Sequence, residues 1–196
     1  MKIRFVGDVH GKIGEYLAIC SECKESVQVG DMGLGFKGVY LPHDEIMNHR
    51  FIRGNHDDPN ACAVHPYWIP DGSYDYEKGI MYIGGAWSID HAYRIEGVSW
   101  WRDEEVSTER LYEMIDFAER VKPKIMITHD FPEGVITELF FNTPIRTRTQ
   151  SALEMIRQVI KPELWIGGHW HFSVDKVIDG TRFICLNELQ YIDLTL

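Results

Sequence analysis

One local pattern constrains this chain more than any other. A short β-rich run, usually closed by glycine, is followed at once by Asp, Asn or His. It occurs at residues 2–7 ahead of Asp8 and His10, and at 26–30 ahead of Asp31. It recurs at 50–54 ahead of Asn55 and His56, at 125–128 ahead of His129 and Asp130, and at 164–168 ahead of His169 and His171. A strand buried on both faces carries ionisable groups in its middle only at high cost, so they collect where it ends. In open α/β sheets, ligands bind beyond the carboxyl ends of the strands, where the loops converge. Five strands are therefore expected to deliver polar groups to one edge.

The rest of the chain supplies the flanking elements. Apolar spacing at Ile13, Leu17 and Cys20 predicts a helix over 13–20, and Ser107 is a candidate cap for a second one running to about 120, before Pro123. A third is expected over 149–160, ended near Pro162. Asp179-Gly180 between β-rich runs signals a hairpin over 173–186, with a last strand over 190–194. Residues 57–106, rich in Trp, Tyr and Gly, are expected to form short strands and long loops that wall the site. The whole reads as one α/β domain over residues 1–196. With 44% hydrophobic and 26% charged residues, the chain can bury a core without staples.

Charge and cysteine content narrow the partners. Twenty Lys and Arg against thirty Asp and Glu give a net charge of −10, which argues against nonspecific binding to duplex nucleic acid. No apolar run approaches the ~18 residues of a membrane span, and charges interrupt the first residues where a signal peptide is apolar, so a cytoplasmic location with no membrane partner is expected. Cys20 and Cys23 have knuckle spacing without a second pair, so the four cysteines are expected to be free thiols.

Nine histidines remain to be placed. The strand-end set offers only carboxylate or amide oxygen and imidazole nitrogen, a donor mixture that suits Mn, Fe, Zn or Ni. Asp-x-His and His-x-His on extended chain put alternate side chains on one side, so both members of a pair can face one pocket. Asp31 could bridge two cations with its two oxygens.

Gly7-Asp8-Val9-His10-Gly11, Gly30-Asp31, Arg53-Gly54-Asn55-His56-Asp57, Thr128-His129-Asp130 and Gly168-His169-Trp170-His171 resemble the five ordered motifs of the calcineurin-like metallophosphoesterases. The first and third look like those of the protein Ser/Thr phosphatases, and residues 84–105 look like bacterial and phage-type members. The resemblance implies a four-layer sandwich of two mixed β-sheets flanked by helices. It implies two divalent metals, manganese foremost with iron, zinc or nickel as alternatives. Asp8, His10 and His171 would hold the first, Asp31 would bridge, and Asn55, His129 and His169 would complete the second. The implied activity is hydrolysis of phosphate mono- or diesters by a metal-bridging hydroxide, with His56 as proton donor to the leaving group. Arg53 is a further candidate, because its planar guanidinium fits two phosphate oxygens.

The second motif departs from the protein phosphatases. Gly30-Asp31-Met32-Gly33-Leu34-Gly35 lacks their second Asp and their Arg, so small phosphate esters or nucleotides are favoured as substrate. A protein Ser/Thr phosphatase and a noncatalytic scaffold of the same fold are the alternatives. Ser88, Asp90, His91 and Arg94 either face substrate or satisfy backbone groups among packing tryptophans. Asp57 and Asp130 either orient ligand histidines or cap turns. His43, His49 and His65 are expected at the surface.

Overall fold

The computed structural model describes residues 2–43, 48–140 and 146–196. In chain order the elements are β1 (Lys2–Val6), α1 (Ile13–Ser21), β2 (Ser26–Gln28), β3 (His49–Phe51), α2 (Pro59–Ala63), β4 (Tyr74–Asp75), β5 (Ile80–Ile83), α3 (Thr108–Val121), β6 (Ile125–Thr128), α4 (Glu133–Phe140), α5 (Arg148–Val159), β7 (Leu164–Gly167), β8 (Val174–Ile178), β9 (Thr181–Cys185) and β10 (Tyr191–Thr195). A single 3-10 turn lies at His91–Tyr93.

Two sheets form, in the orders β10-β1-β2-β3 and β4-β5-β6-β7-β9-β8. The inner strands are parallel; antiparallel strands close three of the four edges, β10 on β1, β4 on β5 and β8 on β9, while the parallel β3 forms the fourth. The period of two in the parallel strands explains the layering. Ile80 and Tyr82, Ile125 and Ile127, and Leu164 and Ile166 face Ile3, Phe5 and Val27 of the other sheet in one buried cluster. Their alternates Met81, Met126, Trp165 and Phe183 point outward against α3, α4 and α5. Val6 and Phe51 meet α1 and α2 through Tyr16, Cys20 and Cys62. Helices, sheet, sheet, helices: the expected four layers are present.

Local signals account for most boundaries. The side chain of Ser107 caps α3, accepting from the Arg110 N–H at 3.3 Å, and Thr147 does the same for α5 at 3.1 Å from Gln150, so α5 starts one residue before its expected first residue. Asp179 and Gly180 make the turn between β8 and β9, both with positive φ. Three features differ from expectation. Helix α4 was not anticipated, although Val135, Ile136, Leu139 and Phe140 form its buried face. Within 57–106, β5 is a central strand with all four residues buried rather than a peripheral one. His49 is buried on β3, its Nδ1 2.9 Å from the Ser26 hydroxyl, because it stands beside Ser26 in the parallel register. All four cysteines are free. Among the described residues no helix is long and apolar enough to cross a membrane.

Candidate metal centre

Parallel strands point the same way, so the loops leaving β1, β2, β3, β6 and β7 open at one edge of the sandwich. That edge gathers all seven sequence-expected ligands. Asp8 Oδ2 lies 3.1 Å from His171 Nε2 and 3.8 Å from His10 Nε2, and the two imidazole nitrogens are 3.0 Å apart. Asp31 turns one oxygen to each side: Oδ1 is 3.2 Å from His129 Nε2 and Oδ2 is 3.8 Å from His10 Nε2. Asn55 Oδ1 sits 3.1 Å from His129 Nε2 and 2.9 Å from His169 Nδ1. Donor atoms of Asp8, His10 and His171, of Asp8, Asp31 and His129, and of His10, Asp31 and His56 each lie within 4.8 Å of one another.

The backbone is shaped for this convergence. His10, Asp31, His169 and His171 have φ of 48, 62, 66 and 52°, a left-handed region that costs a non-glycine residue free energy and tends to be kept at functional sites. Glycines before the ligands give them room. A Cβ on Gly54 would overlap Asp31 Oδ1 and lie 2.7 Å from His129 Nε2, and one on Gly168 would overlap Asp8 Oδ1. The Gly-Asp, Gly-Asn and Gly-His dipeptides in the sequence therefore have a steric cause.

Surrounding groups fix the donor atoms. The Val29 carbonyl accepts from His129 Nδ1 at 2.9 Å, which turns Nε2 toward the cluster. The backbone N–H of His56 donates to Asp31 Oδ1 at 2.7 Å, and that of His169 donates to Asp8 at 3.1 Å. Asp57 is fully buried and accepts from the N–H groups of Gly33, Leu34 and Gly54 at 2.7, 2.9 and 2.8 Å. It caps turns in the two loops that carry Asp31 and Asn55, rather than touching a ligand histidine. Asp130 holds Trp170 Nε1 at 2.8 Å, between His169 and His171, and Gln150 Nε2 at 3.0 Å. Gln28 ties the β1 and β2 loops together through the Gly7 and Gly30 carbonyls.

Two supports escape sequence reasoning because their partners are remote in the chain. Asn55 Nδ2 donates to the Ser88 hydroxyl at 3.0 Å, which leaves Oδ1 facing the histidines. Ser88 in turn donates to Glu104 through its N–H at 2.8 Å and its hydroxyl at 2.5 Å. So Ser88 braces a candidate ligand, and the only advance signal was its place in the Gly84–Glu105 segment.

The electrostatics fit a cation. Asp8 and Asp31 are buried, and among the described residues neither pairs with Lys or Arg. Buried carboxylates usually have such a partner or a metal. Burial pushes the Asp31 carboxyl up, but His129, His56 and His10 outweigh it and hold it well below the ordinary range. Burial likewise opposes charge on His129, yet Asp31 and Asp8 raise it to about 10. A metal ion on these atoms would take the place of the His129 proton. The donor set therefore fits a divalent ion held by nitrogen and oxygen.

The remaining candidates fall differently. His56 lines a cleft of about 160 Å³ with His10, Gly33, Phe36 and Val39. Its ring centroid is 4.9 Å from that of His10, and burial, Arg94 and His10 lower its imidazole to about 4, against the pull of Asp31. Arg53 is buried behind the site. Its Nε donates to Asp71 at 2.7 Å and its Nη1 to the Asp103 and Glu104 carbonyls at 2.8 and 2.9 Å, so those donors tie loops together instead of facing the cleft. Arg53→Ala is expected to cost about 3 kcal/mol of stability by stranding Asp71, read by denaturant unfolding, with KM for a phosphate ester unchanged. A larger cavity, about 1120 Å³, opens at the opposite edge where β1 to β3 begin. Its charges largely satisfy each other, Lys2 and Arg4 on Asp193 and Lys78 on Asp75, and it holds none of the clustered donors.

Family models and curated proteins give no match to the chain. Solved structures do. A candidate 5′-nucleotidase from Staphylococcus aureus, in complex with alpha-ketoglutarate, superposes with a TM-score of 0.56 at 15% identity, covering 100% of this chain and 51% of its own. The chain thus spans about half the length of that protein. GAP50, the anchor in the inner membrane complex of Plasmodium, gives 0.51 at 14% identity over 95% of this chain and 71% of its own. A conserved uncharacterised protein from Streptococcus pneumoniae, predicted to be a phosphoesterase, gives 0.46 at 13% identity over 99% and 83%. The chain therefore shares its fold, two helix-flanked mixed sheets, with the Staphylococcus aureus and Plasmodium proteins.

Proposed function

We propose that the protein is a dinuclear metal-dependent phosphoesterase that hydrolyses phosphate mono- or diesters of small molecules or nucleotides. The observation that carries this reading is the convergence of seven oxygen and nitrogen donors from five loops, with Asp31 offering one oxygen to each side. Asp8, His10 and His171 would hold one ion, Asn55, His129 and His169 the other, and manganese is the favoured metal. When bound, such ions polarise phosphate oxygens and make water more acidic.

The chain's own groups do the rest. Asp31 and Asn55 are locked by the His56 N–H and by Ser88, so the donor geometry is set before substrate arrives. His56 stands at the rim of the cleft; its imidazole is neutral near pH 7 in the free protein, so it would assist the departing ester oxygen only after taking up a proton. Phe36 and Val39 give that cleft an apolar wall for the leaving group. The fold also occurs in a protein described as an anchor, but the complete donor set favours catalysis here over a scaffold.

The test is turnover of p-nitrophenyl phosphate and bis-p-nitrophenyl phosphate after chelator stripping and reloading with Mn²⁺, Fe²⁺, Zn²⁺ or Ni²⁺. Reloading should restore hydrolysis of at least one ester, and His10→Ala should lower kcat by about 10³-fold. Equal rates from stripped and loaded protein would contradict the proposal.

A further inference from the structure

The geometry points to Arg94 as the residue that contacts the substrate phosphate and makes the site selective for monoesters. This rests on the phosphoesterase reading and names the substrate class for it. Residues 88–104 form a closed excursion: Ser88, which braces Asn55, is clasped at the other end by Glu104. Inside that loop the Ser99 hydroxyl accepts from the Ile95 N–H at 3.1 Å, and the Ile95 carbonyl accepts from the Ser99 N–H at 2.9 Å. The loop is thus anchored to a candidate ligand, and it brings Arg94 against His56, which lines the cleft.

Arg94 is held there by a fork. Its Nε and Nη2 donate to the two oxygens of Asp90 at 2.7 and 2.9 Å. Its Nη2 also lies 2.8 Å from His56 Nε2, while the contacts of Nη1, to the Ser99 carbonyl and His56 Nδ1, are the long ones at 3.2 and 3.4 Å. Asp90 takes the Nε and Nη2 donors, so an anion beside His56 would have only the longer Nη1 contacts, to the Ser99 carbonyl and His56 Nδ1, to displace. Among the described residues Arg53 faces Asp71 and loop carbonyls instead, and Lys12 pairs with Glu188.

Ester class follows from oxygen count. A monoester has three unesterified oxygens and a second negative charge, whereas a diester has two such oxygens. Oxygens that face the ligand cluster are shared by both classes. The additional one on a monoester is what a guanidinium beside His56 can take, through a charge-assisted hydrogen bond. Lys cannot reproduce this, since its point charge lacks the planar fork that Asp90 and the phosphate would both use.

The experiment compares wild type, Arg94→Ala and Arg94→Lys, matched for melting temperature, with two readouts. With p-nitrophenyl phosphate, Arg94→Ala should lower kcat/KM about 100-fold, and Arg94→Lys should recover only part of it. With bis-p-nitrophenyl phosphate the change should stay within about threefold. Calorimetric binding of inorganic phosphate to the manganese-loaded protein should weaken by about tenfold or more in Arg94→Ala, corresponding to about 1.4 kcal/mol. Equal losses on both esters, or unchanged phosphate affinity, would overturn the Arg94 assignment. Wild type inactive on both esters would instead overturn the phosphoesterase reading, and the phosphate titration would still decide whether Arg94 reads the anion.

Discussion

Asp31→Asn should abolish most of the thermal stabilisation that Mn²⁺ gives the wild-type protein. Asparagine keeps the shape and tolerates the left-handed backbone at this position, φ 62°, where alanine would add strain of its own. It removes the charge that faces both donor groups. For an ion present at about 100 times its Kd, a site that exists only in the folded state adds about 2.7 kcal/mol. In a chain of this size that amounts to roughly 5–10 °C per site. Wild type should show a shift of that order or larger, and Asp31→Asn little of it. Differential scanning fluorimetry with and without Mn²⁺ reads the difference directly. An undiminished shift in the variant would mean that Asp31 is no ligand and that the two halves of the cluster do not share it.

His56→Ala should lower kcat by about 10²–10⁴-fold, the usual contribution of a positioned proton donor or acceptor, while leaving the Mn²⁺-induced thermal shift near its wild-type size. The second half of the prediction matters because His56 stands close enough to His10 and Asp31 to be counted among possible metal donors. A ligand and a proton-transfer group both lose activity when deleted, but only a ligand loses the metal shift with it. Its place beside Phe36, 6.1 Å between nearly parallel rings, and beside Arg94 puts it on the cleft side of the donor cluster. If His56→Ala loses the shift, the imidazole binds metal and the leaving-group role fails.

The edge that holds the site was legible in the sequence because burial leaves a local mark. Ile125, Met126 and Ile127 cannot carry ionisable groups between two packed layers, so His129 comes where the strand ends. The glycines before Asn55 and His169 were visible in the motifs, but their cause is tertiary, since a side chain there would overlap Asp31 or Asp8. The two-sheet arrangement came from the family resemblance. Nothing in residues 190–194 says that β10 leaves its neighbour β9 to pair with β1, where Arg4 meets Asp193 across 189 residues. Helix α4 and strand β5 are short apolar runs, and at that length a buried strand and a buried helical turn look alike.

Side-chain partners were least legible. Arg53 looks like a phosphate fork in one dimension, yet Asp71 and the carbonyls of Asp103 and Glu104 claim its donors once the loops close. His49 looks like a surface histidine until the parallel register sets it beside Ser26. Asn55 gives no hint that Ser88 and Glu104 will fix its amide. In each case the deciding partner is chosen by tertiary packing, which carries no signal at the residue itself.

The most direct test of the central claim is the metal stoichiometry of the purified chain, by Mn²⁺ titration calorimetry with elemental analysis of the dialysed protein. Two ions per chain are expected for wild type, with Asp31→Asn retaining at most one. No retained ion in wild type, or an equal count in both proteins, would contradict a dinuclear centre bridged by Asp31.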